Sequence, residues 1–157
     1  SVVAMIRPRG GNFVYNDLEL KIMEADIFEA QAQGVDAVTF GALTEDNWLD
    51  EDAMENLIAA AAGMDVVMHM AFDEIPAERQ QEAIDWLAEH EVDRILTHGG
   101  PLSEPITETL PHLKTLVKQA EGKLTILPGG GITADNVDTV ARELGVTEAH
   151  GTKILKF

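Results

Sequence analysis

Apolar runs and amphipathic stripes alternate along the whole chain. Residues 2–6 are short, apolar and without alternation, the pattern of a strand covered on both faces. Asn16 and Asp17 then cap a stripe of Leu18, Leu20, Ile22, Met23, Ile27, Phe28 and Ala30 that stops at Gly34, which predicts a helix. The alternation recurs, with strands predicted over 36–43, 65–72, 94–97 and 124–127 and helices over 53–62, 77–90, 106–120 and from 133 to 144. A short last strand is expected over 148–150. Strands that alternate with helices call for right-handed crossovers and a parallel sheet. Two architectures satisfy that rule. One is a TIM-like barrel with about six of the eight strands, because a complete barrel takes about 250 residues and this chain has 157. The other is an open doubly wound sheet, which periodicity cannot separate from the first.

The strand exits carry the candidate chemistry. Pro8 biases Arg7 toward extended geometry, so Arg7 and Arg9 leave the first strand on roughly the same side, followed by the permissive pair Gly10 and Gly11. Two guanidinium forks suit a carboxylate or phosphate; the alternative is a salt bridge to nearby acids. Gly129, Gly130 and Gly131 turn the fifth strand into a helix N-terminus, where free amides hold anions. With Gly151 and Thr152 after the last strand, this loop occupies the position where many barrels bind phosphate. His69 and Asp73 follow the third strand as candidate acid and base partners, or metal ligands. Strand alternation separates His69 from Met68 and Met70, which are expected in the core. His98 and His150 finish two further strands, so His69, His98 and His150 are the candidate metal ligands. His90 and His112 fall on helices and are expected to face solvent or to cap.

Composition narrows the partners. A chain of 157 residues, 45% of them apolar, supports one core and one domain. A net charge of −17 argues against nucleic acid and anionic membrane surfaces, and makes the Arg7/Arg9 pair conspicuous. No apolar run is long enough to span a bilayer, and a cytoplasmic protein is expected. The absence of cysteine removes thiolate nucleophiles and Cys-based metal sites, leaving thioether and imidazole for a soft ion.

The motifs at 5–15 (MIRPRGGNFVY), 69–73 (HMAFD), 96–99 (LTHG), 129–132 (GGGI) and 149–152 (AHGT) resemble those of the CutC copper homeostasis proteins. The resemblance spans nearly the whole chain, and its most specific part is the arginine motif with its downstream tyrosine. It implies a TIM barrel, cytoplasmic copper handling with copper as the candidate metal, and a mouth built from Arg7, Arg9, His69, Asp73, His98 and His150. It also implies two βα units ahead of Val2 that this sequence lacks, and cysteines that some members use for Cu(I). Two further functions stay open: a small-anion or phosphosugar enzyme using His69 and Asp73, and an inactive barrel fragment. Exposed edge strands at both ends of such a sheet predict homo-oligomers.

Overall fold

The computed structural model describes residues 2–130 and 132–145. Five short parallel strands form one sheet in the order β1-β2-β3-β4-β5. They are β1 (Val3–Met5), β2 (Ala37–Phe40), β3 (Asp65–Met68), β4 (Arg94–Thr97) and β5 (Thr125–Pro128). Between and after them run α1 (Asp17–Ala32), α2 (Glu51–Ala60), α3 (Gln80–Glu89), α4 (Ile106–Ala120) and α5 (Val137–Leu144). A doubly wound sheet reverses its strand order at a switch point. No reversal occurs among the described strands. Each right-handed crossover steps the same way, so the helices cover one face, as in an arc of a (βα) barrel.

The two faces of the sheet differ. Val38, Phe40, Val66, Met68, Ile95 and Ile126 point to the helices and join Met23, Ile27, Leu57, Ile84 and Leu87 in one core. The opposite face alternates with these and carries Val3 and Met5 on β1, Thr39 on β2, Val67 on β3 and Leu96 on β4. Pairing of Met5 with Thr39 and of Thr39 with Val67 puts these residues in one row. The expectation that the first strand is covered on both faces is corrected here, because Val3 and Met5 are 52% and 62% exposed. β1 is an edge strand, and among the described residues nothing lies over its inner face.

Element bounds follow local hydrogen bonds. Asn16 caps α1 in a reciprocal box with Glu19, as its position before the stripe predicted. The third strand is shorter than its apolar run: it ends at Met68, and Met70–Glu74 is a 3₁₀ turn. The last helix starts at Val137, because residues 133–136 form a turn in which Asn136 Oδ1 accepts from the Thr133 amide at 2.8 Å. The strand expected over 148–150 lies outside the described residues. Among the described residues, no helix is long and apolar enough to cross a membrane.

Candidate functional site

All five strands run the same way, so their C-terminal ends share one rim of the sheet. Beyond β1, Arg9 is occupied with its own loop. It pairs with Glu19 and donates to the carbonyls of Val14 at 2.6 Å, Asn12 at 3.1 Å and Gly10 at 3.2 Å. The Arg9 hydrogen bond, with the Asn16 amide, holds the Glu19 carboxyl below its usual pKa. This realises the salt-bridge alternative for Arg9 and ties residues 9–16 to the first turn of α1. Arg7 is placed differently. Its Nη2 donates to the Gly11 carbonyl at 2.7 Å and its guanidinium lies 4.5 Å from the centre of the Phe13 ring, while its Nε is buried without a partner.

Continuing the alternation past each strand puts Arg7, Gly41 and His69 on the inner face with Thr39. His69 is 4% exposed. Its Nδ1 accepts from the Ala71 amide at 3.1 Å, the bond that pulls the chain out of the strand and into the 3₁₀ turn. Its Nε2 has no partner. Burial, then the charge of Arg7, lower its pKa to about 4, so the ring is neutral near pH 7. Phe13 packs against it at 5.0 Å between ring centres and so touches both His69 and Arg7. The phenol of Tyr15 is buried nearby, and that burial raises its pKa against the opposing effect of Arg7.

Gly41 closes the floor. A Cβ there would meet His69 Cε1 and Met68 Sδ, each at 2.9 Å. Both neighbours are fully packed, so Gly41→Ala should destabilise by about 1–3 kcal/mol and disturb the His69 ring, a result that urea unfolding and the His69 NMR signals would test.

The β4 and β5 exits form a second, self-satisfied group. Asp73 accepts from the Thr97 hydroxyl through one oxygen and from the His98 amide at 2.9 Å through the other. Burial raises its pKa, opposed by these hydrogen bonds. His98 Nδ1 faces the carbonyls of Gly129 and Gly130, both at 3.0 Å, and its Nε2 faces the Glu104 carbonyl at 2.7 Å. The Gly129 amide donates to the Thr97 carbonyl at 3.0 Å. Gly130 sits at φ +83°, and a Cβ there would come within 2.7 Å of the His98 ring.

The predicted site residues therefore divide. Arg7 and His69 lie beside each other through Phe13, whereas Asp73, His98, Gly129 and Gly130 interlock, and no hydrogen bond joins Asp73 to His69. Among the described residues, no three His, Asp or Glu side chains gather as metal ligands. Gly131, His150, Gly151 and Thr152 lie outside the described residues. The two helical histidines, expected to face solvent or to cap, are half-buried: His90 is the C-cap of α3, with its Nδ1 2.7 Å from the Trp86 carbonyl and its ring stacked on Trp86 at 3.8 Å, and His112 meets Gln80 at 2.6 Å. Tyr15, Phe13 and Thr39 received no site role from the sequence, although Tyr15 closes the most specific motif.

A sequence model described as the CutC family matches residues 1–155. This chain belongs to the CutC family. It is 56% identical over 154 residues to a family protein CutC from Enterococcus faecalis, covering 98% of this chain and 74% of that one. Against a human copper homeostasis protein cutC homolog it is 40% identical over 149 residues, covering 95% of this chain and 53% of the human one. The crystal structure of a copper homeostasis protein CutC from Streptococcus agalactiae superposes with a TM-score of 0.96 at 50% identity, covering 99% of this chain and 74% of that one. A Mycoplasma synoviae N-acetylneuraminate lyase shares the fold at a TM-score of 0.62 and 15% identity, over 95% of this chain and 54% of the lyase. The CutC arc and the lyase thus have strand-and-helix geometry in common.

Proposed function

We propose that this CutC-family chain serves copper homeostasis, the role carried in the names of its human and mouse relatives, and that its described residues contribute a small-oxyanion site at the exits of β1 to β3. One observation carries the second half of this reading. Among the described residues, the buried side-chain polar atoms without a hydrogen-bond partner are Arg7 Nε, Tyr15 Oη, Thr39 Oγ1 and His69 Nε2. Buried polar groups are normally satisfied, because each one left alone costs about 1–3 kcal/mol. These groups lie around a guanidinium in a strongly acidic chain, with Tyr15 and Arg7 within reach of each other, and they support a site for an anionic ligand. Arg7 supplies the charge and the hydroxyls and imidazole supply directional bonds.

The copper half rests on the relatives' names alone at residue level. His69 has Nδ1 engaged and His98 has both ring nitrogens aimed at carbonyls, so the described imidazoles do not converge on an ion. The buried thioether of Met68 is a soft donor that abuts Gly41 from beside His69.

Thermal melts test the site. Sulfate or phosphate should raise the Tm over chloride at matched ionic strength by roughly 5–10 °C at about a hundred times Kd. Arg7→Gln should remove that difference. An unchanged sulfate effect in Arg7→Gln would defeat the reading.

A further inference from the structure

His69 has a fixed tautomer, and this decides what it can do. The Ala71 amide can only donate, so the Nδ1 it reaches must present a lone pair. The ring is buried and neutral, which leaves its one proton on Nε2, the nitrogen without a partner. Arg7 Nε is likewise a donor with no accepting capacity. Phe13 lies against both side chains and fills the space beside them with an apolar wall. Two buried donors that cannot accept call for a ligand atom that accepts. A metal ion or an ammonium group does not meet that demand, whereas the oxygen of a carboxylate or phosphate does.

Building on the oxyanion reading above, we propose that His69 is a specificity-determining residue whose fixed Nε2–H donates to an oxygen of a small carboxylate or phosphate ligand, in place of acting as a proton acceptor or metal ligand. The ring would polarise the oxygen it touches, as neutral imidazoles do when a backbone amide blocks their other nitrogen. Arg7 sets the preference for an anion, and His69 sets where its oxygen must lie. Thr39, on the same face, and Tyr15 can each donate or accept and so adapt to the remaining ligand atoms.

The test reads the ring directly, on protein labelled with ¹⁵N-histidine, with His69 assigned from its glutamine variant. Expected is a neutral ring with Nε2–H from about pH 8 to about pH 5, where an ordinary histidine titrates. The Nε2–H proton resonance should shift on adding inorganic phosphate or acetate, and comparing the two arms tells which oxyanion class fits. His69→Gln, which retains an N–H near Nε2, should hold the phosphate Kd within about threefold, and His69→Leu should raise it about tenfold, the value of one hydrogen bond. The His69 assignment alone is overturned if the ring carries Nδ1–H, if phosphate stabilises the protein without moving the Nε2–H signal, if glutamine fails as badly as leucine, or if added Zn²⁺ displaces the Nε2 proton. If neither phosphate nor acetate stabilises the wild-type protein, the oxyanion reading falls, and this proposal with it. The ring can also be read in the wild-type protein, since five histidines give few signals and His69 is expected to stay neutral as the pH falls to about 5.

Discussion

Asp73→Ala should cost about 2–4 kcal/mol of folding stability, because it strips acceptors from two buried donors at once. The Thr97 hydroxyl and the His98 amide both end on the Asp73 carboxylate, and Thr97 is fully buried. Through Thr97 Oγ1 the Gly99 amide is held as well, at 3.1 Å. A cavity of a few atoms adds to the loss, since the 3₁₀ turn that carries Asp73 is packed by Ala71 and Phe72. Asp73→Asn keeps one acceptor and should lose roughly half as much. Urea unfolding measures both, with the midpoint falling at constant slope. A loss under about 1 kcal/mol in the alanine variant would mean that water replaces the carboxylate, and Asp73 would then be open to a role with ligand.

Acid should also weaken the fold through His69. Its folded pKa is about 4, below the ordinary value of 6.5, so the unfolded chain binds more protons in that interval. The stability it confers is complete above about pH 6.5 and is lost as pH falls toward 4, up to about 3 kcal/mol in all. Asp73 acts with the opposite sign. Its pKa is raised in the fold, so the native state holds that proton more tightly, and its contribution grows as pH falls through the folded value. Denaturant midpoints measured across this range in wild-type protein and His69→Gln isolate the histidine. The variant should show a flatter profile between about pH 6.5 and pH 4, and parallel profiles would show that His69 is not the group responsible.

The alternation of strand and helix was legible because burial writes itself into periodicity. β4 and α4 were placed at their observed limits for that reason, and the Asn16 cap followed from residue type alone. Where side chains bond to nearby backbone, periodicity is blind. The 65–72 run is mostly apolar, yet the chain leaves the sheet at His69 because its imidazole captures the Ala71 amide. Sheet order was also out of reach, since barrel arcs and doubly wound sheets present the same local pattern.

The candidate site was legible as a neighbourhood and not as a set of roles. Strand exits gather at one rim in any parallel sheet, so Arg7, Arg9, His69, Asp73 and His98 were found there as expected. Which guanidinium forms an ion pair depends on where Glu19 reaches, ten residues on from Arg9, and that distance is fixed only by the capping box. Likewise, Asp73 pairs with β4 because the 3₁₀ turn swings it sideways, away from the histidine four residues before it. Tyr15 and Thr39 escaped notice because a buried hydroxyl without a partner is a property of packing, visible only in three dimensions.

The sequential strand order bears on how the chain is made. Each described strand after the first hydrogen-bonds to the one synthesised just before it, so β2 finds β1 already outside the ribosome, and β3 finds β2. None has to wait for a segment still to be translated before acquiring its first neighbour. Sheet growth can keep pace with elongation, one βα unit at a time, and the waiting edge is always the newest strand.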